Sequence, residues 1–234
     1  TDVALRTEDS SVVVAEISSF QLETVHTFRP KVSAILNITP DHLNRHHTME
    51  AYIAAKERIA ANQTEGDFCV LNYEDEVTRA FGEKVKADVL YFSSVHKLNR
   101  GVYLDGTKIV CDIDERIEIC DIGELKILGT HNHENAMAAT AMAYAYGVPA
   151  EIIRSTLKNF QGVEHRIEFV AEKGGVAYYN DSKGTNPDAA IRGIQAMNRP
   201  TVLIGGGYDK DSAYDEWIQA VDGNVKEVVL LAPP

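Results

Sequence analysis

The stretch SVVVAEISSFQLE, residues 11–23, decides how the chain is read. Residues 12–15 are an unbroken apolar run, the pattern of a strand buried on both faces of a parallel sheet. The run stops at a carboxylate, Glu16, with Ser18 and Ser19 just beyond it. At the carboxyl end of a parallel strand such a group faces the crevice where open α/β sheets bind ligands, which makes Glu16 a candidate for holding a metal or a polar substrate. The alternative is a solvated strand end, since charged residues commonly mark where a buried strand surfaces.

Outward from this stretch, strand-like runs alternate with helical patterns: a helix near 20–27, a strand at 32–37, a helix at 49–62 and a strand at 68–72. Such alternation predicts βαβ units and a mostly parallel sheet, an α/β fold. Between 89 and 128, short strands with turn signals at DGTK and CDID predict a small antiparallel section. An alanine-rich helix at 135–146 is closed by Gly147 and Pro149, and a shorter helix follows at 150–160. The stretch FQGVEHRIE is the expected domain boundary, dividing the chain into 1–163 and 164–234. Beyond it, a hairpin turning at EKGG, a helix opened by Pro187, a strand at 201–204, a helix through Trp217 and a strand at 225–231 form a second α/β run. That run reads as unfinished, because a doubly wound domain rarely ends on an apolar strand after about 70 residues.

The bulk composition narrows the function classes. With 44% hydrophobic and 25% charged residues the chain is an ordinary globular sequence. A net charge of −12 argues against nucleic acid as a partner. Cys69, Cys111 and Cys120 are widely spaced and odd in number, which fits a reducing compartment better than a disulfide framework or a zinc site. No apolar run approaches the roughly 20 residues that span a bilayer, and the first residues lack the layout of a signal peptide, so a cytoplasmic protein without membrane contact is expected.

Lys56 is the most informative single residue. In MEAYIAAKERIAANQ the apolar Tyr52, Ile53, Ile59 and Ala60 lie one turn before and one turn after it, so the lysine sits within the buried stripe of its helix. It either snorkels to water or loses solvation, which lowers its pKa and leaves a neutral amine able to add carbon dioxide. The resulting carbamate anion could help hold a metal. Between Glu16 and Lys56 lies NITPDHLNRHH, where His42 and His46 have the spacing of a helical zinc pair but follow Pro40 without a clear helical frame. Grouped differently, Glu16 and His42 end two adjacent strands and Lys56 stands on the following helix, converging on one crevice. Oxygen-rich ligands there favour magnesium, which in such crevices usually carries phosphates.

In YYNDSKGTNPDAA, Asp181, Ser182, Lys183, Thr185 and Asn186 form a polar turn between a strand and a helix, and Lys183 with that helix start makes an anion site. A turn-and-cap reading explains Asp181 or Asn186 singly but not the whole set. IGGGYDKDS brings three glycines after a strand with Lys210 beyond them; the spacing is not that of a Walker A loop.

Five stretches, AEISSFQLE, LNITPDHLNRHHTMEAYIAAKERI, LGTHNHENAMAA, GVEHRIEFV and YNDSKGTNPDAA, occur in the order and approximate spacing seen in Mur ligases. The chain resembles that family over nearly its whole length. SSFQLE and NDSKGTN resemble most the branch that handles D-glutamate. The resemblance implies a partial central ATPase domain followed by the first part of a Rossmann-like C-terminal domain. It implies an ATP-dependent amide ligase of peptidoglycan synthesis that joins D-glutamate to UDP-N-acetylmuramoyl-L-alanine through an acyl phosphate. It assigns Glu16 and His42 to magnesium, with Lys56 as a carbamylated lysine, and makes Lys56, His42 and Lys183 the catalytic set. Asn132 and Asn135 resemble nucleotide-contacting asparagines, Arg166 a phosphate-contacting arginine and Asp181 a ribose-binding aspartate. Thr185 and Lys210, with Lys183, resemble residues near the phosphoryl group and D-glutamate, while Ser18, Ser19, Gln21 and His42 resemble residues near the muramoyl substrate. Two departures stand out: the family's GTNGKTT phosphate loop lies upstream of these motifs, and Asn44 replaces an aspartate in the DHLDRH pattern. The expectation is therefore about half an enzyme, inactive alone. The alternatives are a sister Mur ligase, a folylpolyglutamate synthase, or a non-catalytic nucleotide-binding module.

Overall fold

A computed structural model describes residues 6–8, 10–207 and 214–231. Six strands form the main sheet in sequence order: β1 (Val32–Ile35), β2 (Phe68–Asn72), β3 (Asp88–Ser93), β4 (Gly101–Asp105), β5 (Lys108–Asp112) and β6 (Arg116–Asp121). The first four run parallel and the last two pairings are antiparallel. The central strands are apolar for a physical reason: helices cover both faces, so alternate residues have no watery side to turn to.

On one face lies α5 (Thr130–Tyr146), whose Ala136, Met137, Ala138 and Ala141 pack with Val70, Leu90 and Val102. Small side chains let this helix approach the sheet closely. On the other face, Tyr52 of α3 (Met49–Glu57) and Phe81 of α4 (Glu76–Gly82) pack with Ile35, Cys69 and Leu71. The short helices α1 (Ser19–Leu22) and α2 (Leu43–His46) contact α3, while α6 (Ala150–Asn159) packs on β6. Beyond them come the hairpin β7 (Glu168–Lys173) and β8 (Val176–Asn180), then α7 (Pro187–Ala196), β9 (Thr201–Gly206), α8 (Asp215–Val221) and β10 (Val225–Leu231). β9 and β10 pair in parallel, and α7 contacts α8.

Three expectations need correction, and one helix is an addition to them. Residues 12–16 are not a strand: Val12, Val13 and Val14 are 56%, 68% and 88% exposed, and no described strand hydrogen-bonds to them. A strand exists only through its partner's ladder, and the sheet's first described member is β1. The helix expected at 20–27 is one turn, Ser19–Leu22, because Arg58 and Asn62 take the following carbonyls of Leu22, Val25, His26 and Phe28. The antiparallel section begins at β4 rather than at 89. β3 and β4 run parallel across only Tyr91, Phe92 and Ser93, so a short return suffices where a full crossover would need a dozen residues. Finally, α4 is absent from the sequence reading; its signal is the Asp75 cap, whose carboxylate accepts the Thr78 N–H at 2.8 Å.

Candidate functional site

The first group of candidate residues lies around α1, α2 and α3. Thr48 caps α3 by accepting the Ala51 N–H, which fixes the helix start and hence the facing of Tyr52 and Lys56 one turn apart. Lys56 is half-buried, with its ammonium 5.2 Å from the centroid of the buried Tyr52 ring. Burial pushes its pKa below the ordinary lysine value, while the charges of Asp41 and Glu16 act in the opposite direction. Glu16 acts on Lys56 through its charge, but neither Glu16 nor His42 ends a strand: Glu16 lies in extended chain, and His42 lies seven residues beyond the end of β1, at the start of α2.

Asp41 was missed by sequence reasoning. It sits in the loop with His42, whose Nε2 is 3.4 Å from its carboxylate. His42 adopts the left-handed region at φ 55°, uncommon for a residue with a side chain and a feature that clusters at functional sites. The zinc-pair reading of His42 and His46 fails on geometry. Phe20 stands against both rings, 4.9 Å from His42 and 5.4 Å from His46, so the two imidazoles do not share an open metal position. His46 is instead buried, with Nε2 3.0 Å from Ser19 Oγ and Nδ1 3.4 Å from Glu23.

Ser18 and Gln21 use their polar atoms on each other. The Ser18 hydroxyl accepts the Gln21 N–H and the Gln21 carbonyl oxygen accepts the Ser18 N–H, a capping box for α1. Among the described residues no three His, Cys, Asp or Glu side chains form a ready metal cage. The donor chemistry still fits magnesium, which takes one or two carboxylates and keeps most of its remaining positions for water and phosphate.

The second group lies where the start of α5 meets the loops before β7 and α7. Asn132 donates to the Leu128 carbonyl at 2.7 Å, and Asn135 donates to Asn132 at 3.3 Å. Gly129, at φ 93°, must stay small because a Cβ there would lie 2.8 Å from Ala196 of α7. This close approach brings His131 within the fields of Arg192 and Arg166, which add to burial in lowering its pKa. Asp181 is half-buried and its pKa is raised by that burial; the Ile167 N–H, at 3.0 Å from Oδ1, and Arg166 oppose the shift. His165 and Ile167 flank Arg166 with φ of 66° and 45°, and for a β-branched residue this is strained backbone. Lys183 and Thr185 are exposed, and the Lys183 N–H donates to the His165 carbonyl at 2.9 Å. His131 lies within LGTHNHENAMAA without being singled out there, and Arg192 carries no motif at all. Lys210 lies outside the described residues.

A cavity of about 430 Å³ opens beside this second group, lined by Lys126, Leu128, Gly162, Glu168, Phe169 and Tyr179 among others. None of the candidate site residues lines it, although Gly162, Glu168 and Phe169 belong to the GVEHRIEFV stretch.

Comparison with known proteins places this geometry in a family. Residues 3–143 match the Mur ligase middle domain, and the chain belongs to that family. Among curated relatives, the UDP-N-acetylmuramoylalanine–D-glutamate ligase of Lachnoclostridium phytofermentans is 59% identical over 232 residues, covering 99% of this chain and 51% of the relative. That of Clostridioides difficile is 52% identical over 230 residues, covering 98% and 51%. The chain thus spans about half the length of the curated relatives it matches. Among solved structures, MurC of Thermotoga maritima superposes with a TM-score of 0.68 at 22% identity, covering 93% of this chain and 48% of that one. MurF of Acinetobacter baumannii gives 0.67 at 22%, covering 91% and 48%. At such identities these two structures speak for the fold. No helix among the described residues is long and apolar enough to cross a membrane.

Proposed function

We propose that the chain is part of an ATP-dependent amide ligase that adds D-glutamate to UDP-N-acetylmuramoyl-L-alanine. The observation that carries this reading is the 59% identity, across 99% of the chain, to a relative named for that ligation. The placement of Lys56 with Asp41 and Glu16 supports it chemically.

The reaction has two steps. ATP phosphorylates the muramoyl-alanine carboxylate, and the D-glutamate amine then attacks the acyl phosphate to form the amide and release phosphate. Both steps bring anions together, so catalysis needs positioning and charge compensation more than covalent chemistry from the protein. Magnesium would be held by Glu16 and His42 and would supply charge neutralisation of the phosphates. Lys56 would be suited to modification: its neutral amine would add carbon dioxide and lose a proton, giving an anionic carbamate that could help hold the magnesium. Asn132 and Asn135 would contact the nucleotide, Arg166 a phosphate and Asp181 the ribose. Lys183, Thr185 and Lys210 would lie near the transferred phosphoryl group and D-glutamate. Ser18, Ser19 and Gln21 would shape the muramoyl side, with their backbone fixed by the capping box. On this reading residues 1–163 belong to the central ATP-binding domain, residues 164–234 to the following ligase domain, and the protein works in the cytoplasm.

The test is an assay of the full-length ligase that carries this stretch, with ATP, magnesium, UDP-N-acetylmuramoyl-L-alanine and one amino acid at a time. ADP release that requires D-glutamate is expected. Release with another amino acid but not with D-glutamate would assign a sister ligase, and nucleotide binding without any turnover would assign a non-catalytic module.

A further inference from the structure

We propose that His46 is the positioning residue of the site: it anchors the loop that carries Asp41 and His42 and fixes that loop against the Lys56 helix. The inference rests on the ligase reading above for its kinetic consequence, but not for its structural one.

α2 is a single turn flanked by His42 at φ 55° and His47 at φ 68°, two left-handed residues that give it no continuation at either end. A turn of this kind holds its place only through what it buries, and His46 is its one buried side chain. Polar and apolar contacts converge on that imidazole. Its Nε2 meets the buried Ser19 hydroxyl at 3.0 Å. Its Nδ1 faces Glu23 at 3.4 Å, and the other oxygen of Glu23 accepts from Arg45 of the same turn at 2.9 Å. With its Nδ1–H turned toward the carboxylate, the ring keeps Nε2 as an acceptor for the Ser19 hydroxyl. The faces of the ring are used as well. His46 stacks on Phe20 at 5.4 Å and 13°, and tilts against Tyr52 at 5.3 Å. Phe20 in turn touches His42 at 4.9 Å, and Tyr52 lies beneath the Lys56 ammonium at 5.2 Å. His42 and Lys56, the two residues proposed to help hold magnesium, are thus each packed on a ring that is packed on His46.

Neither Phe20 nor Tyr52 could replace this link, because each reaches only one of the two residues. A histidine supplies a hydrogen bond to Ser19, a contact with the Glu23 carboxylate and two ring faces at once. Of its neighbours in the turn, Asn44 is exposed, and Arg45, also exposed, adds only its bond to Glu23.

The experiment uses the full-length ligase and two variants. His46→Phe keeps the ring faces and removes the Ser19 hydrogen bond and the Glu23 contact; His46→Leu removes the ring faces and the edge contacts together. Misplacement of about 1 Å commonly costs about 100-fold, so kcat is expected to fall about 100-fold in His46→Leu and about 10-fold in His46→Phe, with KM values for ATP and D-glutamate within about twofold. A second readout is independent of turnover. Nitrogen-15 imidazole spectra of the wild type should show the proton on Nδ1 of His46 with Nε2 as the hydrogen-bond acceptor, and His46→Leu should shift the His42 ring resonances. Wild-type kcat in both variants, a loss confined to KM, or an Nε2-protonated His46 with unmoved His42 resonances would each overturn the proposal. Should the wild-type ligase fail to use D-glutamate, the functional reading falls, and the imidazole spectra still decide the role of His46.

Discussion

The ammonium of Lys56 stands 5.2 Å from the centre of the Tyr52 ring, one turn back on the same helix. Tyr52 is buried at 5% exposure, so the lysine stem lies along the edge of the core while its amine stands within the fields of Asp41 and Glu16. Burial outweighs the two carboxylates and leaves the pKa below the ordinary lysine value. Snorkelling and functional readings of this residue thus describe the same placement, and they part only on how readily the amine loses its proton.

That difference gives a pH prediction. A depressed folded pKa means that the folded state gives up the Lys56 proton before the unfolded chain does. This lysine therefore lowers stability below its folded pKa, and the penalty is lifted as pH rises from that value to the unfolded one. With carbon-13 dimethylated lysines, Lys56 should titrate at lower pH than the exposed lysines. Titration together with them would remove the reason to expect a reactive amine.

Arg58 should matter for stability well beyond its partial exposure. Its Nε and Nη2 donate to the carbonyls of Leu22 and Val25 at 2.8 and 2.6 Å, pinning the chain that leaves α1 to the end of α3. Arg58→Ala leaves those carbonyls without their donor and should cost about 2 kcal/mol. The urea midpoint would fall with the slope unchanged. Arg58→Lys should recover only part of this, because a single ammonium cannot span both carbonyls in the fork geometry. An unchanged midpoint in Arg58→Ala would show that the loop is held by Asn62 alone.

The cysteines should be inert in the folded protein. Cys69 and Cys111 are fully buried, and burial raises their thiols to about 11 and about 12. Cys120 is also buried and shifted upward. Labelling with a thiol reagent at neutral pH should proceed at the rate of unfolding, because the thiolate is the nucleophile and is barely populated. Rapid reaction of any of the three under native conditions would contradict the packing of β2, β5 or β6.

The fold is legible in the sequence where burial leaves no choice. FCVLN at Phe68–Asn72 reads as a strand because a parallel strand covered on both faces must be apolar throughout. The direction of β4 is not legible, since a ladder of three residues with β3 needs no recognisable crossover helix. Val12, Val13 and Val14 have the same composition as a buried strand and yet lie exposed, because periodicity reports what a segment can bury and not whether a partner pairs with it.

In the site, Lys56 is legible from its place in an apolar stripe, whereas His46 is not. A buried histidine between two rings and a solvated histidine in a loop are the same letter, and the contacts that distinguish them come from Ser19 and Phe20 on another helix. Asp41 escapes for a similar reason: its charge matters because α2 and α3 fold back beside it.

The most direct test of the central claim labels the full-length ligase with carbon-13 bicarbonate and compares wild type with Lys56→Arg. Arginine keeps a cation in place, remains protonated and cannot form the carbamate. The account predicts a carbamate carbon signal in wild type, its absence in Lys56→Arg, and a fall in kcat of about 100-fold in the variant, the scale of losing one preorganised charge contact. A Lys56→Arg ligase that folds and turns over near the wild-type rate, or a carbamate signal that survives the substitution, would contradict it.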